Sequence, residues 1–203
     1  EYSIYAGASL IEMLKKQRDA VGISLFADKL ELHTPAKSSF AHHRYLYSEL
    51  EKRLINYSED LQKDTNAIQA IHDIAELSHR RSLVIIFSDL LDDPDRVDDL
   101  MNAIQHLKHN KHEVIMFHIV DKKSEVDFDL ENRPYTLIDM ETGEKLKLQP
   151  AEIKENYVKS IDNYFQSIKR KCINYGIDFM PVDINKGYDQ VLLQYLIKRQ
   201  KLY

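Results

Sequence analysis

The chain has 203 residues, a formal net charge of −5 at pH 7 and a single cysteine, Cys172. The size fits one α/β domain with a full core, and the acidic balance gives no reason to expect nucleic acid or an anionic membrane as the main partner. A lone cysteine excludes an intramolecular disulfide and fits a reducing compartment, so we expect a cytoplasmic protein. No apolar run approaches the roughly 20 residues that span a bilayer, so we expect no membrane segment in this chain.

Predicted helices and strands alternate along the sequence. In chain order, the patterns predict a helix over 2–18, strands over 21–26 and 30–33, helices over about 40–54 and 65–78, a strand over 83–87, a helix over about 94–107, a strand over 114–120, an inserted β-hairpin within 121–150, a helix over 151–175, a strand over 177–182 and a helix over 188–199. Gly176 is the expected stop of the long helix, and Pro181 points to a sheet edge.

This alternation predicts an α/β fold: a doubly wound, mainly parallel sheet with helices on both faces. The runs 83–87 and 114–120 are apolar on both faces, as buried parallel strands are. We expect a single domain over 1–203, with 121–150 as a hairpin insertion within it. The chain begins at Glu1 without a methionine, so we expect a segment upstream.

Asp89 directly follows the predicted strand 83–87 and Ser88. In an open parallel sheet, ligands bind outside the carboxyl ends of the strands, so a carboxylate there suits a divalent cation, a phosphoryl group or a base. Aspartate is also simply a good turn residue. Four later acids need no chemistry, because they lie where negative charge favours a helix N-terminus: Asp93, Asp95, Asp98 and Asp99.

Thr65 opens a predicted helix after a polar loop, so it is either a cap or an oxygen ligand for Mg²⁺ or Mn²⁺. His106, His109 and His112 suggest zinc, but lysines interleave with them, and cations are favoured at a helix C-terminus. His118 and Cys172 are expected core residues. With five glycines in the chain, no glycine-rich phosphate loop is present.

A resemblance rests on five separated segments, which read DAVGISLFADKLELHTPAKSS, RSLVIIFSDLLDDPD, HEVIMFHIVD, DMETGEKL and LLQYLIKRQ. Together they resemble the bacterial domain-of-unknown-function family 58 (DUF58), a branch of the von Willebrand factor A-like (vWA) fold, over nearly the whole chain. The resemblance implies a doubly wound sheet with a metal-ion-dependent adhesion site. In that site Thr65 resembles the second-loop threonine, and Asp89 resembles the third-loop aspartate.

The first loop of that site has the form Asp-x-Ser-x-Ser, which occurs nowhere in the 203 residues. In the family it follows a central strand that precedes the first helix, so the resemblance implies that this strand is missing from the chain. Either the native protein has this strand upstream or something else fills its position in the sheet, and we expect the site in these residues to be incomplete. Thr65 and Asp89 alone should bind Mg²⁺ or Mn²⁺ weakly or not at all.

The leading functional hypothesis is a non-enzymatic protein-binding module. The resemblance implies a protein partner, a MoxR-type AAA+ ATPase, and work in assembly or as a chaperone. The alternative is a metal-assisted hydrolase or phosphotransfer enzyme that uses Asp89. A third hypothesis is a receiver-like domain with Asp89 as phosphoacceptor, but the paired acid and the late lysine of that fold are not recognisable.

Overall fold

A computed structural model describes residues 1–27, 29–55, 67–79, 81–90, 96–138 and 145–200. Its helices are α1 (Tyr2–Lys16), α2 (Phe40–Ile55), α3 (Ala67–Leu77), α4 (Val97–His109), α5 (Pro150–Asn174) and α6 (Asp189–Gln200), with a π-helix over Lys122–Val126. Its strands are β1 (Ser24–Phe26), β2 (Leu30–His33), β3 (Leu83–Ser88), β4 (Glu113–Val120), β5 (Tyr135–Ile138), β6 (Lys145–Leu148) and β7 (Asp178–Asp183). The predicted helix start at Asp93 and Pro94 lies outside the described residues, whereas Asp98 and Asp99 do occupy the first turn of α4.

The central sheet is parallel and has the order β3-β4-β7. Within the described ranges, β3 pairs along one edge only, with β4. The strand predicted over 177–182 is β7, which lies at the opposite edge with Pro181 exposed, as predicted. Strand β4 lies between the two, and Val114, Ile115, Met116 and Phe117 are each at most 1% exposed.

Helices cover both faces of this sheet, because the strands are apolar on both sides. On one face, α3, α4 and α5 pack on alternate residues of β3 and β4: Val84, Ile86, Val114 and Met116. On the other face, α1 and α6 pack on the intervening residues: Leu83, Ile85, Phe87, Ile115 and Phe117. Each of these side chains that is fully buried, such as Met116 and Phe117, stabilises the fold by about 1.5–3 kcal/mol relative to an exposed one. The predicted doubly wound α/β fold class is confirmed.

Cys172 of α5 is completely buried in the first of these cores, and burial raises the pKa of its thiol to about 11. The prediction that it is a core residue is confirmed. A buried thiol of this kind stays protonated at neutral pH, so it is a poor nucleophile.

Two antiparallel hairpins flank the parallel sheet. Strands β1 and β2 form the first, with Leu25 opposite Leu32. Strands β5 and β6 form the second, as the sequence predicts for the insertion, and its predicted turn over 141–144 lies outside the described residues. A third apolar cluster joins α1 and α2 to the segment that leads into β1, through Ile11, Val21, Leu46 and Leu50.

Candidate functional site

The carboxyl edge of the parallel sheet is rich in acidic side chains. Asp89 follows β3, Asp121 follows β4, and Asp183 is the last residue of β7. Because the three strands are parallel, their carboxyl ends meet at one edge, which is where ligands bind in sheets of this kind. The side chain of Asp89 is exposed, so this edge presents at least one carboxylate to solvent.

Asn185 joins two of these carboxylates. Its Nδ2 donates to Asp121 Oδ1 at 2.7 Å and to Asp183 Oδ1 at 3.1 Å, and its backbone N–H donates to Asp183 Oδ1 at 3.1 Å. Hydrogen bonds from Ser124 and Asn185 hold the pKa of Asp121 below its ordinary value. Partial burial alone would raise the pKa of Asp183, but the bonds from Asn185 bring it below the ordinary value. Both groups are therefore ionised at neutral pH.

Glu125 is the fourth carboxylate at this edge. Its environment raises its pKa, whereas the pKa values of Asp121 and Asp183 are lowered. Burial raises its pKa, the N–H of Asp121 lowers it by donating to Glu125 Oε2 at 2.9 Å, and the charges of Asp121 and Asp89 raise it further. The net pKa is above the ordinary value, because like charges and desolvation both disfavour the ionised form. The Asp89 charge is the smallest of these contributions, and it connects Asp89 electrostatically with Glu125.

The turn after β3 holds Asp89 between two anchored neighbours. Ser88 Oγ accepts a hydrogen bond from the N–H of Leu90 at 3.1 Å, and the Tyr164 hydroxyl donates to the Leu90 carbonyl at 2.8 Å. Leu90 is 3% exposed and has a φ of 56°, in the left-handed region that leucine rarely adopts. Strain of this kind persists only where surrounding contacts enforce it, and it clusters at functional sites.

The imidazole of His118, in β4, is buried next to Asp89, whereas Asp89 itself is exposed to solvent. The ring is 2% exposed and packs edge-on against Phe165, with ring centroids 4.3 Å apart. Burial lowers its pKa, opposed by a hydrogen bond with the Asp89 backbone and by the Asp89 charge, so the ring is neutral. The predicted core position is confirmed, but Nε2 has no hydrogen-bond partner among the described residues.

These acids do not form a metal centre by themselves. The part of the chain that the structure describes contains no group of three or more histidine, cysteine, aspartate or glutamate side chains placed to hold a metal ion. The oxygens of Asp121 and Asp183 already accept the hydrogen bonds of Asn185. Of the two predicted ligands, Asp89 lies at the expected edge, and Thr65 lies outside the described residues.

The three histidines near the end of α4 do not converge on a zinc site. His112 is 2% exposed, and its Nδ1 accepts the N–H of Ser82 at 3.2 Å. His109 is exposed, and His106 instead contacts residues of α3.

Sequence reasoning singled out Asp89 but passed over Asp121, Glu125, Asp183 and Asn185. The signal that identified Asp89 was available for two of them, because Asp121 and Asp183 also directly follow predicted strands. Glu125 carried no such signal, since only the π-helix that starts after Asp121 brings it back to the sheet edge.

None of the described helices combines the length and apolar character needed to cross a membrane. In comparisons with known proteins, no curated protein and no solved structure matched the chain. One family model did match, that of the "Protein of unknown function DUF58", over residues 1–164. The matched stretch covers most of the chain and includes Asp89, Asp121 and Glu125. The chain therefore belongs to the DUF58 family.

Proposed function

We propose that the chain is a vWA-like protein-binding module that docks its partner at the carboxyl edge of the sheet. One observation supports this proposal: three parallel strands end at that edge, and they are followed by or end in Asp89, Asp121 and Asp183. An exposed carboxylate at this position, that of Asp89, suits recognition of a cation or of a cationic partner surface. The partner we propose is a MoxR-type AAA+ ATPase, which the resemblance implies, in assembly or chaperone work.

In this proposal Asp89 and Thr65 are two of the ligands of a metal-ion-dependent adhesion site for Mg²⁺ or Mn²⁺, a site that is incomplete in these 203 residues. The described residues supply Asp89 but no set of three ligands, and the Asp-x-Ser-x-Ser loop does not occur in the sequence. We therefore assign no metal-dependent step to this chain, and we expect weak or no binding of Mg²⁺ or Mn²⁺ at this edge.

The environment of Asp89 favours binding over hydrolysis. A general base must reach the proton that it removes, directly or through one water. The imidazole next to Asp89 is that of His118, which is 2% exposed beneath the edge and neutral. The hydroxyl of Ser88 accepts the N–H of Leu90 within its own turn. Neither group is placed as part of an exposed nucleophile–base pair.

The test is a direct binding measurement with the purified AAA+ ATPase and the full-length protein, by biolayer interferometry. An AAA+ ATPase itself uses Mg²⁺ with its nucleotide, so removing the metal would disturb both partners, and a substitution is the cleaner perturbation. We expect Asp89→Asn, which keeps the side-chain shape, to weaken binding about tenfold or more. Asp162→Asn, at an exposed position on α5, is the matched control and should bind like the wild type.

Circular dichroism melts of both variants should match the wild type, because Asp89 is exposed and its replacement opens no cavity. Equal binding by Asp89→Asn and wild type, or no binding by the wild type, would refute the proposal. Metal-dependent hydrolysis of phosphate esters or peptides by the wild type, lost in Asp89→Asn, would replace it with the enzyme hypothesis.

A further inference from the structure

Two histidines on neighbouring helices form a pair that is separate from the acidic side chains described above. Their Nδ1 atoms face each other. His72 of α3 and His106 of α4 have their Nδ1 atoms 3.1 Å apart and their ring centroids 5.3 Å apart. Both helices are fixed by the same apolar core, and Asn110 Nδ2 donates to the Ala75 carbonyl at 3.0 Å to join them. The two rings are therefore held on a rigid scaffold, as a binding site requires.

Glu76 fixes the tautomer and orientation of one of the two rings. Its Oε1 lies 2.9 Å from His106 Nε2, the nitrogen on the far side of the ring from His72. This contact places a proton on Nε2, so in the neutral ring Nδ1 carries a lone pair that points at His72. A carboxylate that holds the outer nitrogen of a histidine is the usual companion of a metal-binding imidazole, because it fixes the tautomer and the ring orientation.

We propose that His72 and His106 bind one divalent transition-metal ion between their Nδ1 atoms, Cu²⁺ most tightly and Zn²⁺ next. Two nitrogen ligands at about 2.0–2.1 Å from an ion lie about 3.3 Å apart in tetrahedral geometry and about 2.9 Å apart in square-planar geometry. The distance of 3.1 Å falls between these values, so the two nitrogens already have the right spacing, and each ring must rotate by about 35–45° to aim its lone pair at the ion. The ion takes the place of the proton between the rings, which moves to Nε2 of His72, and no group is oxidised or reduced.

A groove lies beside one of the two rings, that of His72. Its volume is about 460 Å³, and it is also lined by Gln69, Arg96, Asp99 and Asn102. Because the described residues hold no third ligand of the histidine, cysteine, aspartate or glutamate type in place, water completes the shell. The site is distinct from the proposed adhesion site in ligand chemistry as well as position, since imidazole nitrogen selects Cu²⁺ and Zn²⁺, and carboxylate oxygen selects Mg²⁺ and Mn²⁺.

The test is competition for Cu²⁺ and for Zn²⁺ between the protein and a chromophoric chelator, with excess Mg²⁺ present throughout. The chain has nine histidines, so variants must locate the site. We expect His72→Gln and His106→Gln each to lower the affinity at least tenfold, and Glu76→Gln to lower it several-fold. His109→Gln, an exposed histidine one turn from His106, is the matched control and should bind like the wild type.

The electron paramagnetic resonance spectrum of the Cu²⁺ form should show coupling to two imidazole nitrogens, falling to one in either histidine variant. Melting temperatures measured in the presence of a chelator report whether each metal-free variant is folded. Glu76→Gln changes a largely exposed side chain, so it perturbs the site from outside the packed surface between α3 and α4. Unchanged affinity in both histidine variants, or an equal loss in His109→Gln, would overturn the proposal. So would displacement of the bound Cu²⁺ by Mg²⁺.

Discussion

The C-terminal end of α4 allows a test of how much free energy a left-handed backbone costs a residue other than glycine. Lys111 follows the helix with a φ of 66°, and its N–H donates to the Lys108 carbonyl at 2.9 Å. The next N–H, of His112, donates to the Leu107 carbonyl at 3.1 Å. This pair of bonds is a Schellman motif, in which the residue at the position of Lys111 is usually glycine because its backbone is left-handed.

We predict that Lys111→Gly stabilises the protein. A left-handed backbone costs a residue with a Cβ about 1–2 kcal/mol, and glycine instead loses about 0.5–1 kcal/mol more conformational entropy on folding. The net gain is about 0.5–1 kcal/mol, and no packing is lost because Lys111 is exposed. Lys111→Ala is the matched control, because it removes the same charge from the helix C-terminus but keeps the strain.

Urea unfolding followed by circular dichroism measures the difference. Lys111→Gly should be more stable than both the wild type and Lys111→Ala, and its melting temperature should rise by about 1–4 °C. The end of α5 gives the reciprocal test, since Gly176 occupies the same position with a φ of 66°. A Cβ there would lie 3.9 Å from Lys108 Cε, so Gly176→Ala should lose about 1 kcal/mol through the backbone alone. A Lys111→Gly protein no more stable than Lys111→Ala would refute the reasoning.

Two further predictions concern the segment that leads into β1 and the acidic edge. Gly22→Ala should destabilise the protein by about 1–3 kcal/mol in urea unfolding, because the new Cβ would collide with the Thr34 carbonyl and lie 3.2 Å from the backbone nitrogen of Ala36; an unchanged midpoint would contradict this. Asp121→Asn should be less stable than the wild type at pH 7, by a margin that narrows below about pH 4. The folded-state pKa of Asp121 is below its unfolded value, so its stabilisation is present above the unfolded pKa and is lost as the pH falls through the folded one. A margin that stays constant from pH 7 to pH 3 would contradict this.

The sequence predicted the parts of the fold that follow from local patterns. Runs that are apolar on both faces identified β3 and β4, and Gly176 correctly predicted the end of the long helix. The same stop at Lys111 could not be predicted, because nothing in a lysine signals a left-handed backbone. There the hydrogen bonds of the helix end override the preference of the residue.

The candidate sites were less predictable, because they depend on contacts between distant residues. Asp89 could be placed at the sheet edge from its position after a strand. The position of Glu125 beside the sheet edge depends on a π-helix, which the hydrophobic pattern does not signal. The contact between His72 and His106 joins residues 34 positions apart. Contacts of that kind depend on how two elements pack in the folded chain, so local sequence patterns do not predict them.

The proline in β7 has a consequence for how the protein meets other chains. Pro181 has no N–H, and the next N–H on the same side of the strand, that of Asp183, donates to Gln190 Oε1 of α6 at 3.3 Å. A strand approaching the outer edge of β7 therefore finds no donor at either position. Sheet edges with free donors promote aggregation, and proline is one of the devices that prevent it. The stretch of this edge from Pro181 to Asp183 is thus a poor template for an added strand, and it stays so at high protein concentration because both features belong to the chain itself.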